Sequence, residues 1–156
     1  MAAPTDWTSS TGSQFFMSLA TPASLDAAGY GAVGMTYTEV GHIDSIGEYG
    51  PEAAENSRTP LKTGVKEKRK GVTDYGAIPL NMAMVQGDAG QELLIEASDP
   101  AYRNPVTCYV KFPDGTKEYF RALIMSYKRN PGGAEANLMA TVNVSITSPL
   151  VTVYPT

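Results

Sequence analysis

One histidine, His42, stands between two carboxylates, Glu39 and Asp44. A histidine flanked by acids is the raw material of a general base or a metal site. Here the spacing argues against both. On a strand, positions 42 and 44 share a face and 39 lies on the other, so the three groups do not converge. Asp44 with Glu48, and Glu92 with Glu96, could do paired-carboxylate acid–base work. The second pair reads more simply as the solvent face of a short helix. Cys108 is the one cysteine. It alternates with apolar neighbours and reads as an inert core residue, with neither a disulfide framework nor a cysteine metal site around it. Gly29, Gly31 and Gly34 are irregularly spaced and no helix follows them, so they do not make a phosphate-binding loop. No catalytic residue, cofactor or metal ligand is expected, and the chain is read as a non-enzyme.

Charge is the stronger signal. Arg58, Lys62, Lys66, Lys68, Arg69 and Lys70 fall within thirteen residues, opposed by Glu67 alone. That segment carries +5 in a chain of net charge -4, which leaves -9 on the rest. A body this acidic repels a nucleic-acid backbone. The basic run contains no aromatic residue, so it lacks the stacking platform of a single-strand binder. The segment suits an anion or an acidic protein surface. It sits inside a long polar excursion from Glu39 to Gly76, which the Ile46-Gly47-Glu48 turn and the Gly50-Pro51 pair open. Excursions of that length in a small domain are functional or disordered.

The elements that must hold this excursion are mostly strands. The chain has 156 residues, with 15 glycines, 11 prolines and frequent Thr, Val and Tyr. That composition points to one β-rich domain with many turns. Residues 1–13 read as a flexible polar arm, in which Trp7 is the residue that would dock on a neighbour. Residues 14–156 read as one domain. Alternation predicts strands over Gln14 to Ala20, Met35 to Asp44, Tyr75 to Val85 and Val106 to Phe112. Residues 21–34 read as a loop. Pro79 assigns its strand to an edge or a bulge. Asp88 as cap and Gln91 at the capping-box position predict a helix over Ala89 to Ser98, with Leu93 and Ala97 in one stripe and Leu94 beside it.

The Pro113-Asp114-Gly115-Thr116 turn makes a hairpin into Lys117 to Tyr127. There Tyr119, Leu123, Met125 and Tyr127 are expected on one face, and Phe120, Ala122 and Ile124 on the other. After Asn130-Pro131-Gly132-Gly133, residues 136–147 alternate as a twelve-residue strand. Its outer face is polar but uncharged, which suits a crowded interface or a channel wall. The sum is a mainly β fold: an antiparallel sandwich or part-barrel with one short helix on its side. Long strands with few charged gatekeepers recruit other chains at their edges, and a closed ring of identical subunits satisfies them. No apolar run approaches the ~20 residues of a membrane helix. The N-terminal residues lack the layout of a secretory leader, so folding in a reducing cytoplasm is expected.

The blocks IDSIGEYGPEAAENSRTPL, KGVTDYGAIPLNM and VKFPDGTKEYFRALIMSYKRNPGG, with the short helix between the last two and a long strand after them, resemble the major tail tube proteins of long-tailed, siphophage-type bacteriophages. The resemblance covers about residues 35 to 147. It implies six-subunit rings that stack into a tube on a tape-measure protein, with tail-tip and terminator proteins at its ends. Double-stranded DNA would pass through without being bound. It places the protein in the virion tail, after assembly in the host cytoplasm, and without a membrane partner. It also implies that a loop from about Ala53 to Thr73 is mobile until the next ring orders it. On this sequence the inter-ring loop residues would be Arg58, Lys62, Lys66, Lys68, Arg69 and Lys70, entered through Ile46, Gly47, Glu48, Gly50 and Pro51, with Trp7 as the arm contact. Glu52, Glu55, Asp88, Glu92 and Glu96 are the acidic candidates to receive it. The extra C-terminal immunoglobulin-like domain of some relatives is not expected. The alternative reading is a β-sandwich binding module of a tail tip or adhesin, recognising a host surface or carbohydrate through Tyr102, Tyr109 and Tyr119.

Overall fold

A computed structural model of the chain describes residues 9–155. Its centre is one antiparallel sheet. In spatial order the path runs β2 (Thr38–Val40), β1 (Gln14–Ser18), β7 (Val106–Lys111), β8 (Lys117–Asn130), β9 (Met139–Ile146), β6 (Ala77–Ala83) and β3 (Ile43–Ile46). The last strand, β10 (Val151–Val153), pairs with the start of β8.

The sequence reading of one strand over Met35 to Asp44 is corrected here. The stretch is two strands, β2 and β3, lying at opposite ends of the sheet path. Between them stand only Gly41 and His42, and His42 has a left-handed φ of 61°. That conformation breaks the pleat, because a non-glycine residue adopts it only in a turn or under constraint. The consequence is geometric. Laid flat, seven strands at ~4.8 Å would separate the outer two by about 29 Å. Three Cα steps from Val40 to Ile43 span at most about 11 Å. The sheet therefore curls until its two edges approach each other at this link without pairing, and the result is a part-barrel.

Inside it lies the main core, with Phe15, Met17, Val40, Ile78, Leu80, Met82, Val106, Cys108, Phe120, Val142 and Val144 all buried. The alternation in β6 and β9 supplies this face directly: Ile78, Leu80 and Met82 pair with Val144, Val142 and Ala140. Two departures from simple alternation matter. In β8, Met125 is an extra residue at a bulge, opposite the consecutive Asn143 and Val144. Past it the faces exchange, so Tyr127 joins Phe120, Ala122 and Ile124 in the core rather than Tyr119. In β6, Pro79 sits in an interior strand, contrary to expectation. Its carbonyl accepts from Gly47 N–H at 2.8 Å, so the side where its own N–H is missing faces the point at which β3 ends. No bond to β9 is lost. The final strand is also shorter than read. It has eight residues, because Ala136 turns back to Gly133 and Leu138 bonds to Met84 outside it.

The helix α2 (Ala89–Ser98) forms where expected and packs against β1, β2 and β8. Its buried stripe is Gly90, Gln91, Leu94 and Ala97, with Leu93 only partly covered. The capping box does not form. Asp88 makes no side-chain cap; its carboxylate accepts from Gly41 N–H at 3.0 Å instead. Gln91 is almost fully buried. Its amide donates to the carbonyls of Ala83 and Gly41 at 2.8 and 3.1 Å, and its oxygen accepts from Val85 N–H at 3.1 Å. Both polar side chains thus fasten the helix to the seam between the sheet edges. A further short helix, α1 (Ala27–Tyr30), interrupts the expected loop and is capped by Asp26.

On the outer side of β1, β7 and β8 a second, aromatic cluster forms from Tyr30, Tyr109 and Tyr119, with Phe16, Tyr37, Val151 and Val153 against it. Phe16 stacks on Tyr109 with centroids 4.5 Å apart, and the Tyr37 hydroxyl donates to Tyr30 O at 2.7 Å. This half of the sheet is covered on both faces.

A Cβ on Gly90 would lie 2.2 Å from Glu39 O and 2.5 Å from Val40 Cα. Gly90→Ala must push α2 off β2, and is expected to destabilise the fold by about 2 kcal/mol or more. That corresponds to a melting point lower by roughly 5 °C, measured by circular dichroism. Gly34→Ala, where nothing lies within 4 Å, is the control and should leave it unchanged.

Candidate functional site

The basic excursion is not a structureless loop. Strands β4 (Glu52–Arg58) and β5 (Glu67–Asp74) pair as an antiparallel hairpin that forms its own two-stranded sheet, apart from the barrel. The register explains why a segment so rich in like charge can be ordered. It sets Arg58 opposite Glu67, Asn56 opposite Arg69, Ser57 opposite Lys68 and Glu55 opposite Lys70. No two cations face each other across the ladder, which would be destabilising. Arg58 Nε reaches Glu67 Oε2 at 3.0 Å, and Lys68 Nζ lies 3.9 Å from Glu55 Oε1. These pairs are solvent-exposed, so each contributes about 1 kcal/mol at most. Lys62, Lys66, Arg69 and Lys70 have no carboxylate within 4 Å among the described residues.

Almost every residue of both strands is exposed. A two-stranded ribbon without a buried face is marginal in water. Its tip, residues 59–66, turns through Pro60 and Gly64, with Gly64 N–H bonded to Pro60 O at 2.9 Å. The tip also presents Leu61 and Val65 to solvent, the former completely. The hairpin is therefore a charged arm with an apolar point, and among the described residues it shares no sheet with the barrel.

Its root is built from the residues singled out in the sequence. Ile46 pairs with Leu80 and packs on the core. Gly47 lies against Pro79, where a Cβ would fall 2.2 Å from the ring. Glu48 and Pro51 are exposed. Tyr49 anchors the turn, its hydroxyl donating to Glu118 Oε2 at 3.1 Å. Burial and then the adjacent Glu118 carboxylate push the Tyr49 phenol upward in pKa, so it remains a donor. Gly50 and Gly76, one on each strand of the root, both have positive φ, 146° and 79°. Gly50 O lies 3.5 Å from where a Cβ on Gly76 would be. Two glycines side by side form a natural swivel, because neither has a side chain to restrict its dihedrals. Trp7 lies outside the described residues.

Among the expected acidic partners, Glu55 is taken up within the hairpin and Asp88 by Gly41. Glu52 faces Asp74 across the ladder. Glu92 and Glu96 remain on the exposed side of α2. His42 is exposed, and its carbonyl accepts from Ala83 N–H; its place is the link between sheet edges. Burial pushes the Cys108 thiol far up, consistent with a core role. A cleft of about 720 Å³ lies between residues 9–13 and β3, floored by Val110, Phe112 and Tyr49. The described residues include no cluster of three or more His, Cys, Asp or Glu that could hold a metal. Among the described residues no helix is long and apolar enough to cross a membrane.

The tyrosines of the alternative reading do not make a binding platform. Tyr109 and Tyr119 are under a tenth exposed, covered by Tyr30 and Tyr37. Tyr102 packs beside the main core, away from them. Two further features escaped the sequence reading. One is the hairpin pairing, whose register was legible only through the alternation of charge. The other is the continuation of β9's polar outer face across β6 and β3, where Asn81 Nδ2 donates to Ser45 Oγ and Thr141 Oγ1 donates to Asn81 Oδ1, each at 3.1 Å.

No family model matches the chain, and no curated protein matches it by sequence. Solved structures do. A chain of an extracellular contractile injection system, from the PVC sheath/tube terminator in its extended state, is similar with TM-score 0.65 and 8% identity, over 96% of this chain and 99% of that one. A chain of the anti-feeding prophage baseplate is similar with TM-score 0.62 and 7% identity, over 91% of each. The SPP1 tail tube protein is similar with TM-score 0.62 and 14% identity, over 92% of this chain and 77% of that one. The architecture is thus that of tail tube and baseplate proteins of phages and contractile injection systems. At these identities the likeness is one of fold.

Since the hairpin shares no sheet with the barrel, removing residues 52–74 and joining Pro51 to Tyr75 should leave the barrel folded. Its thermal unfolding is expected within a few degrees of the intact chain. Loss of the cooperative transition would show the hairpin to be part of the core.

Proposed function

We propose that this protein is a structural subunit of a phage-type tail, which assembles with copies of itself into rings stacked as a tube. The observation that carries the reading is the hairpin: an exposed arm whose outer part, residues 58–70, carries +5, on a two-glycine root and outside the main sheet among the described residues, in a chain that is otherwise acidic and has the fold of tail tube proteins. Such an arm gains most by lying on another copy.

Within a ring of six, the free edge of β3 and the neighbouring cleft offer unpaired backbone groups to the next subunit. Between rings, the hairpin reaches to the adjacent layer. Fixing a hinged arm costs entropy, which offsets part of the contact energy. Free subunits therefore polymerise slowly until a tail-tip complex presents a first ring, and a tape-measure protein sets where stacking stops. The polar face bearing Ser45, Asn81, Thr141 and Asn143, with Lys128 opposite Thr141 as its one cation there, lines the channel. Without a dense cationic lining, that wall lets double-stranded DNA slide through rather than bind. The site of action is the virion tail.

Negative-stain electron microscopy across a concentration series is the test. Hollow tubes or stacked rings are expected, from the free protein at high concentration or once a tail-tip complex is supplied. The chain lacking residues 52–74 should give single rings or monomers under the same conditions. Monomers from the intact protein under every condition, tip complex included, would overturn the reading.

A further inference from the structure

The unpartnered side of α2 carries Glu92, Ile95, Glu96 and Asp99, all exposed. Their spacing of three and four residues puts them in one stripe. This arrangement is unfavourable in the single chain. Glu92 and Glu96 are like charges at i and i+4. Asp99 is the C-cap, where the helix dipole disfavours an anion, and the last turn holds no basic residue. Among the described residues, none of the three carboxylates has a cation within 4 Å.

The hairpin has the mirror-image problem. Lys68 and Lys70 share a face of β5, and Lys66, just before the strand, continues the alternation. Leu61 and Val65 lie exposed beside them at the tip. The two stripes are also commensurate. Three charges from 92 to 99 span about 10.5 Å of helix at ~1.5 Å per residue. Three from 66 to 70 span about 13 Å of strand at ~3.3 Å per residue. Finally, they are placed at opposite ends. The hairpin enters β6 at Ala77 and α2 follows its other end at Ala83.

We infer that the hairpin of one copy docks on the outward face of α2 of a second copy, Lys66, Lys68 and Lys70 facing Glu92, Glu96 and Asp99, with Leu61 and Val65 seated by Ile95. The contact is head-to-tail and non-closing, so it repeats and builds a stack. The inference rests on the stacking reading above and names the acceptor within it. Each stripe relieves the other's repulsion; Lys68 exchanges its long, exposed contact with Glu55 for the helix carboxylates, and Asp99 keeps its bond from Ala101 N–H.

Charge reversal with restoration tests it. One variant carries Lys66→Glu, Lys68→Glu and Lys70→Glu; a second carries Glu92→Lys, Glu96→Lys and Asp99→Lys; a third carries all six. All of these positions are on exposed segments, and circular dichroism checks that each variant is folded. Stacking is read by sedimentation velocity and electron microscopy. Each triple variant should lose stacking about tenfold or more in association constant, a difference that a few exposed ion pairs can supply. The six-fold variant should stack again, as should a mixture of the two triple variants. Raising salt to screen the pairs should weaken wild type and the six-fold variant alike. If the hairpin triple variant fails to stack and the six-fold variant fails too, α2 is not the acceptor and the inference is overturned while tube assembly stands. If α2 reversal leaves stacking intact, the inference is likewise overturned. An intact protein that never forms rings or tubes overturns this inference and the tube reading together.

Discussion

Two residues, Gly41 and His42, tie the opposite edges of the sheet, and much of the architecture follows from the shortness of that tie. A seven-strand path whose ends are about 11 Å apart at most cannot lie flat. Closure places Phe15, Leu80, Val106 and Val142 in one interior. It also leaves a seam between β2 and β3, where backbone groups would be exposed. Gln91 and Asp88 meet that seam with four hydrogen bonds to backbone groups of Gly41, Ala83 and Val85. Buried polar groups need such partners. The helix is held down by polar side chains at the seam as much as by Leu94 and Ala97 in the core, and Gly90 lets it approach β2 closely enough for those bonds to form.

The hairpin stands outside this system. It shares no sheet with the barrel, and its ion pairs are exposed ones of small individual value. What it has is a rigid register with a two-glycine root. That combination separates the stability of the body from the position of the arm. The barrel can be stable in the free subunit while the arm waits for a surface.

Charge distribution gives the same division. Negative charge is spread over the body, and its densest unpaired helical stripe is on α2; positive charge is concentrated on the hairpin. On the proposed docking, arrangements unfavourable in a single chain would become favourable between copies. This is a way to encode association without exposing a large apolar patch, which would invite non-specific aggregation. The uncharged ladder of Ser45, Asn81 and Thr141 adds a third kind of surface, polar and hydrogen-bonded within itself, and suited to contact without adhesion.

The sequence by itself determined the local pieces. Alternation located β1, β6, β7 and most of β8 and β9, because a half-buried strand must alternate. The bounds of α2 were read to the residue, from the Asp99-Pro100 stop and from an Asp88 that holds the N-cap position without making the expected side-chain bond. The concentration of lysine and arginine marked out the segment from Arg58 to Lys70. The tertiary structure decided what local signals cannot carry. It split residues 35–44 into two edge strands, since a single left-handed residue changes the chain's direction without altering its hydrophobic pattern. It moved Tyr127 to the core through the Met125 bulge, because one inserted residue exchanges the faces. It turned Gln91 from a cap into a buried clamp, since its partners lie far away in sequence or on another element. And it made a hairpin of the basic excursion, whose pairing depends on which residue faces which across a turn rather than on composition.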